Sequence, residues 1–141
     1  MPSLPSLDEP LSDGLVSLRL SAERDIPEIL IAYQDDPIMH KKLGEARPPS
    51  GAQLGSASER ADAEREAGIR VALTICEPGA DQCRGQVILQ DVDWEGRTAR
   101  VRVWVAPQLR GRGIARGGMQ LVGAWLQDAC GLTVIPAALK R

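Results

Sequence analysis

One short segment restricts the possible fold of this chain more than any other. In "VRVWVAPQLRGRGIARGG", residues 101–118, an alternating apolar run leads into a loop in which arginine and glycine take turns. Alternation with period two predicts a strand, and the apolar residues that follow recur at helical spacing. That helical stripe consists of Ile114, Leu121, Val122, Trp125, Leu126 and Ala129, and it ends at Gly131. The chain therefore contains a strand, a glycine-rich loop and a helix in direct succession.

Further strands follow from the same periodicity. The runs "IRVALTIC", "GQVILQDVDW" and "TARVRVWVA" are separated by turn residues and predict an antiparallel meander. An earlier strand is predicted in "GLVSLRL" and a last one in "LTVIP". We expect the last strand to lie parallel to the third strand of the meander, because a helix of crossover length separates them.

Two helices are predicted before the meander. Ile26, Ile29, Leu30 and Tyr33 share one helical face, and residues 44–58 are expected to form a loop. The charged run "SERADAEREAG" predicts a second helix, capped by Ser56 or Ser58 and ended by Gly68. The predicted fold class is therefore α/β or α+β, with a mostly antiparallel, twisted sheet flanked by helices. Residues 1–14 are expected to be a flexible arm, and residues 15–141 a single domain.

Composition excludes several classes of protein. With 43% hydrophobic and 26% charged residues, the chain is expected to fold as an ordinary globular domain. It has no run of about 18 apolar residues and no signal-peptide pattern, so we expect a cytoplasmic protein without membrane contact. Cys76, Cys83 and Cys130 lack metal-ligand spacing and His40 is the single histidine, so no metal site is expected. Cys76 and Cys83 could face each other across a hairpin, although small buried side chains are the favoured interpretation.

Positive charge is concentrated beside the glycine-rich loop. Residues 97–127 contain six arginines and no acid, a formal charge of +6 within a chain whose net charge is −2. The remainder of the chain therefore sums to −8. This asymmetry favours a small anionic ligand over a long nucleic acid.

The loop has the properties of a phosphate site. Backbone N–H groups at the start of a helix attract anions, and Gly111 and Gly113 permit close approach or a positive φ. The Walker pattern is excluded because no Gly-Lys-Ser/Thr follows, and the dinucleotide-binding pattern because Arg116 replaces its third glycine. What remains is Gln-x-x-Gly-x-Gly, beginning at Gln108.

This motif, in "VWVAPQLRGRGIA", resembles the acetyl-coenzyme A signature of the GCN5-related N-acetyltransferases, and it is most similar to their ribosomal-protein N-acetyltransferase branch. The earlier "LRLSAERDIPEIL" resembles the same branch. The resemblance covers roughly residues 15 to 135. It implies an acetyl-CoA-dependent transfer of an acetyl group to a primary amine, at a protein N-terminus or on a small molecule. It also implies the fold predicted above, with the last strand splayed away from its neighbour.

The resemblance assigns the cofactor to residues of the central segment. The backbone of Val103, Trp104 and Val105 would pair with the pantetheine arm, and the thioester carbonyl would be polarised by the N–H of Val105 or its neighbour. The amides of the loop would hold the pyrophosphate. The implied cofactor-binding loop residues are Gln108, Leu109, Arg110, Gly111, Arg112, Gly113, Ile114 and Ala115. Arg110, Arg112 and Arg116 would supply charge to phosphate oxygens.

Catalytic residues are less directly indicated. Where many relatives carry a glutamate and a glycine early in the central strand, this chain has Arg100 and Arg102, and an arginine does not accept a proton. Asp91 and Asp93, on the neighbouring strand, are the candidate catalytic residues, against the alternative that they are solvent-side residues of a hairpin. His40 is a lesser candidate.

Relatives continue beyond the last strand into a further helix and hairpin, so we expect a chain truncated at its C-terminus or a homodimer that exchanges elements. Three alternatives to the enzyme remain open. The loop could be a plain surface turn, its arginines could bind RNA, or the chain could be a catalytically impaired acyl-CoA-binding or regulatory module.

Overall fold

A computed structural model describes residues 2–137 of the chain. Six strands and four helices follow one another in it, with short 3-10 turns at Glu23–Asp25 and Pro107–Leu109. The strands are β1 (Leu11–Ser12), β2 (Ser17–Leu20), β3 (Val71–Cys76), β4 (Gly85–Asp93), β5 (Thr98–Val105) and β6 (Thr133–Pro136). The helices are α1 (Ile26–Asp35), α2 (Met39–Lys42), α3 (Gly51–Glu66) and α4 (Ile114–Cys130).

The strands form one sheet in the order in which they occur along the chain. Every neighbouring pair from β1 to β5 is antiparallel, and β5 and β6 are parallel. Helix α4 makes the crossover between these two parallel strands, as such a connection requires. The predicted fold class and the predicted parallel last strand are therefore confirmed.

Strand β6 pairs with only half of β5. The register joins Thr98–Val101 to Thr133–Pro136, and the Ala137 N–H donates to the carbonyl oxygen of Val101 at 2.8 Å. Past Val101, no strand among the described residues lies beside β5 on this side. The sheet is thus splayed at its centre, and one edge of β5 is left open near the loop that leads to α4.

The two faces of the sheet are covered by different helices. Val101 and Val105 of β5 belong to the main core, which includes Val122 and Leu126 of α4. Trp104, on the opposite face, packs in a smaller cluster with residues of α1 and α2. Successive side chains of a strand point to opposite faces, so β5 contributes to both cores.

Helix α3 begins earlier than predicted. Its N-cap is Ser50, whose Oγ accepts from the Gln53 N–H at 3.1 Å while Gln53 Oε1 accepts from the Ser50 N–H at 2.8 Å. This reciprocal pair is a capping box. The expected loop at 44–58 therefore ends at Ser50, and neither Ser56 nor Ser58 caps the helix.

The first residues pack against the domain, which differs from the flexible arm expected for residues 1–14. Leu4 is 1% exposed in the main core, and its N–H donates to the carbonyl oxygen of Arg65 at 2.8 Å. Ser3 Oγ donates to the Glu66 carbonyl at 2.6 Å, and β1 extends the sheet. The segment is ordered by these contacts with the end of α3.

The three cysteines are free. Burial raises the pKa of Cys83 to about 12, and it raises the pKa values of the Cys76 and Cys130 thiols as well. Cys76 and Cys83 are both buried, as the favoured interpretation of the sequence required. Among residues 2–137, no helix has the length and apolar character needed to cross a membrane.

Candidate functional site

The hydrogen bonds beside β5 show which of its backbone groups are free. The Ala106 N–H donates to the carbonyl oxygen of Arg84 at 2.8 Å, on the β4 side. The Val101 carbonyl accepts from Ala137, on the β6 side. Because the lateral direction of backbone groups alternates along a strand, even-numbered residues of β5 face β4 and odd-numbered residues face β6 or the open edge.

Val103 and Val105 are consequently the residues that present backbone groups to the open edge. The Val105 carbonyl oxygen already accepts from Arg110 Nε at 3.0 Å. The groups left for a ligand are the N–H and C=O of Val103 and the N–H of Val105. The backbone of Trp104 faces β4, opposite Gln86, which differs from its expected pairing with the pantetheine arm.

Next to this edge, α4 starts without a side-chain cap. Its N-cap is Gly113, at φ +79, and the first helical hydrogen bond runs from the Gly117 N–H to the Gly113 carbonyl. The N–H groups of the first turn therefore have no partner within the helix. A Cβ at Gly111 or Gly113 would meet nothing within 4 Å, so positive φ, and not crowding, is what requires glycine at both positions.

The open edge and the start of α4 line one cavity of about 370 Å³. Nine of the eleven predicted cofactor-binding residues line it, and Gln108 and Arg112 do not. The nine are Val103, Trp104, Val105, Leu109, Arg110, Gly111, Gly113, Ile114 and Ala115. Arg116, whose charge was predicted to serve phosphate, lines it too. This is a concave site of the size and position that a ligand needs.

Arg110 has a different role from the one predicted for its side chain. Besides Val105, its guanidinium donates from Nη1 to Asp36 Oδ2 at 2.7 Å, and Nη2 lies 3.7 Å from Met39 Sδ. The Arg110 hydrogen bond, offset in part by desolvation, holds the pKa of Asp36 below its usual value. These contacts join the open edge to the connection between α1 and α2, so this guanidinium is occupied within the protein.

Gln108 also turns away from the cavity, since its Nε2 donates to Asp35 Oδ2 at 3.2 Å. The contribution of α2 to the cavity is not visible in the sequence, because a helix of four residues has too little periodicity to be recognised. Three residues from this part of the chain line the cavity: Met39, Lys42 and Leu43.

A second cavity, of about 550 Å³, continues the first where β5 and β6 separate. The two share Lys42, Leu43 and Val103, so they form one cleft. Asp91 lines this second cavity at a β-bulge in β4, where its φ is +50. β-Bulges are frequent beside active sites, where the extra residue changes the direction in which a side chain leaves the strand.

Asp93 and His40 line neither cavity. Asp93 Oδ1 accepts from the Gly96 N–H at 3.0 Å and so closes the hairpin turn between β4 and β5. Of the two predicted catalytic carboxylates, the structure brings only Asp91 into the cleft. Among residues 2–137, no group of three His, Cys, Asp or Glu side chains is placed to hold a metal ion.

Comparison with known proteins agrees with this geometry. The family model described as "Acetyltransferase (GNAT) domain" matches residues 16–140. The chain belongs to this acetyltransferase family. No curated protein sequence gives a significant match.

Solved structures share the fold at low sequence identity. A probable acetyltransferase superposes with a TM-score of 0.78 at 15% identity, covering 94% of this chain and 75% of that one. RimL, a ribosomal L7/L12 alpha-N-protein acetyltransferase, superposes with a TM-score of 0.73 at 13% identity, covering 92% of this chain and 72% of that one. Spermidine N-acetyltransferase from Vibrio cholerae, solved with CoA and spermine, superposes with a TM-score of 0.70 at 16% identity. The match covers 85% of this chain and 68% of that one.

Proposed function

We propose that this protein transfers an acetyl group from acetyl-CoA to a primary amine, on a protein N-terminus or a small molecule. One observation carries the proposal. The open edge of β5 and the uncapped start of α4 line the same cleft. The first offers the hydrogen bonds that a pantetheine amide needs, and the second the N–H groups that a diphosphate needs.

The residues present fit acetyl-CoA. The amides from Gly111 to Ala115 would hold the pyrophosphate at the positive end of the α4 dipole, and Arg116 would add a charged donor. Val103 and Val105 would pair with the pantetheine arm as an added strand does. The side chains of Gln108, Arg110 and Arg112 are not needed for these contacts.

The two cavities of the cleft suggest where each reactant would bind, with acetyl-CoA in the first and the amine in the second. Val103 lines both cavities, so a thioester there would have its carbonyl beside the Val103 N–H and its acetyl group facing the second cavity. This differs from the expectation that the N–H of Val105 or its neighbour polarises the carbonyl, because Val105 lines the first cavity alone. The amine nitrogen would bond to the carbonyl carbon, the C–S bond would break, and the thiol of CoA would leave. Acetyl-CoA supplies the activated acyl group, while the chain supplies position and a polarising donor. Asp91 is the one carboxylate among the described residues that line the cleft, and it is our candidate for the amine's proton.

The solved neighbours act on different amines. RimL is an alpha-N-protein acetyltransferase, and another neighbour is a spermidine N-acetyltransferase. A third, the microcin C7 self-immunity acetyltransferase MccE, was solved with acetyl-CoA and AMP. A protein terminus and a small molecule are therefore both included in the proposed acceptor class.

A second candidate function is an acyl-CoA-binding module without turnover. Arg100 and Arg102 line the acceptor end of the cleft, and neither removes a proton. No Ser, Tyr, Cys or His is among the described residues that line the two cavities. Within this part of the chain, the groups that could protonate the leaving thiolate are therefore lysine, water, or Asp91 once it has taken the amine's proton.

Two measurements on the purified chain separate the candidates. Calorimetry with acetyl-CoA tests the cleft, and saturable binding is expected. Thiol release with a panel of primary amines then tests transfer. Turnover above the rate without amine identifies the enzyme, binding without turnover identifies the module, and no binding at high micromolar acetyl-CoA contradicts both.

A further inference from the structure

The acceptor end of the cleft carries an excess of positive charge. Four of its lining residues are cationic, and a single one, Asp91, is acidic. The four cations are Lys41, Lys42, Arg100 and Arg102. The whole chain has a net charge of −2, so this concentration of cations is local.

The two arginines belong to one face of β5. Arg100 and Arg102 are separated by one residue, so their side chains leave the strand in the same direction, roughly 7 Å apart. Arg102 is fixed by two uncharged acceptors. Its Nη1 donates to the Leu43 carbonyl at 2.6 Å and its Nη2 to Gln90 Oε1 at 3.2 Å. These contacts orient the guanidinium but leave its charge unbalanced, and its Nε is buried without a partner.

Little acid lies close enough to neutralise the remaining cations. Lys42 Nζ is 3.7 Å from Asp36 Oδ2, a carboxylate already paired with Arg110. Neither Lys41 nor Arg100 has a carboxylate oxygen within 4.0 Å among residues 2–137. A cavity with this charge attracts anions and repels a second ammonium group.

We propose that the acceptor carries an anionic group, a carboxylate or a phosphate, which binds against Arg100 and the lysines of α2 while its amine reaches Val103. This inference rests on the proposed function and names its acceptor class. A guanidinium suits both anions, because its donors can engage two oxygens at once. A polyamine would meet like charge in place of a partner, and discrimination of this kind is a common source of specificity.

Matched amines test the charge preference directly. Phosphoethanolamine is compared with ethanolamine, the dipeptide Gly-Asp with its diamide, and spermidine serves as the cationic member. Each is titrated by calorimetry into the protein saturated with CoA, and thiol release from acetyl-CoA is followed in parallel. We expect the anionic member of each pair to bind at least tenfold more tightly than its neutral partner, as one charge-assisted contact allows.

Two variants locate the effect. Arg100→Gln should remove most of the anionic preference, whereas Arg60→Gln, an equal loss of charge at an exposed site on α3 that lines neither cavity, should retain it. Equal or absent binding of the anionic members, tighter binding of spermidine, or the same loss in both variants overturns the inference. Acetyl-CoA binding in those experiments would leave the proposed function standing, and its failure would remove both.

Discussion

Arg110 donates from Nε to the carbonyl oxygen of Val105 at 3.0 Å. That carbonyl lies on the open edge of β5, so a side chain from the loop occupies one of the acceptors that the splay exposes. The same guanidinium reaches Asp36 with Nη1 at 2.7 Å. Arg110 is thus a strap between the open edge and the chain that follows α1, and it positions the edge without being needed as a phosphate ligand.

Replacing Arg110 by lysine should therefore weaken acetyl-CoA binding. An ammonium cannot make three divergent contacts at fixed angles, so the edge and the α1–α2 connection would lose their common anchor. We expect the dissociation constant, measured by calorimetry, to rise roughly tenfold. Arg112→Lys is the matched control, because Arg112 lines neither cavity. Equal affinities of the two variants would contradict the strap.

Alanine substitutions at two glycines of the α4 segment should change the unfolding free energy in opposite directions. Gly113 has φ +79, so Gly113→Ala should cost about 1 kcal/mol of unfolding free energy and disturb the amides before α4. Gly123 lies within α4, and a Cβ there would meet nothing within 4 Å. Gly123→Ala should therefore add about 1 kcal/mol through helix propensity. Urea unfolding measures both, and a stabilised Gly113 variant would contradict the assigned backbone.

Gly118 should tolerate a larger side chain poorly. A Cβ at this position would lie 3.3 Å from Val87 Cγ2 and 3.6 Å from Ile75 Cδ1, both in the sheet core. We expect Gly118→Val to lower the unfolding free energy by roughly 1 to 3 kcal/mol, because overpacking forces α4 away from the sheet. Gly123→Val is the matched control at an open position of the same helix. A similar loss in both variants would assign the effect to β-branching in the helix and contradict the close approach.

The buried pair of Asp25 and Arg19 predicts an acid-sensitive stability. Burial would raise the pKa of Asp25, but hydrogen bonds from Arg19, the Ala22 N–H and Thr74 outweigh it and hold that pKa below its usual value. Because the pKa is depressed in the folded state, the stabilisation is complete above the unfolded value, about 3.9, and is lost as the pH falls through the folded value.

Asp25→Asn should therefore lower the unfolding free energy at neutral pH by about 3 kcal/mol, since it leaves Arg19 with the exposed Asp81 alone. The difference in unfolding free energy between variant and wild type should become smaller below about pH 4. Urea unfolding at several pH values provides the measurement. A gap that is the same at pH 3 and pH 7 would show that Asp25 acts through packing and not through its charge.

Local sequence signals predicted much of the architecture. The meander followed from alternation, and the parallel pairing of β6 followed from the crossover helix, since both depend on short segments. The start of α3 was also visible in principle, because Ser50 and Gln53 have capping-box spacing. The glycines and serines of residues 51–58 favour a loop by composition, but they lie within α3.

Other features depend on contacts between distant parts of the chain. Leu4 is buried in the main core and its N–H donates to the carbonyl oxygen of Arg65, 61 residues further on, and nothing near Leu4 in the sequence indicates these contacts. The strap from Arg110 likewise depends on Asp36, 74 residues before it. The β-bulge places Asp91 in the cleft, whereas Asp93 closes the hairpin turn. The sequence does not show which of these two predicted carboxylates enters the cleft.

We expect the open edge of β5 and the first turn of α4 to bind one ligand together. Backbone amide chemical shifts of the isotope-labelled protein, followed during a titration with acetyl-CoA, test it residue by residue. We expect saturating shifts at Val103, Val105 and Gly111 to Ala115, with one shared dissociation constant. The Trp104 N–H, which faces β4, should change little. Shifts confined to other regions, or different dissociation constants for the edge and the loop, would contradict it.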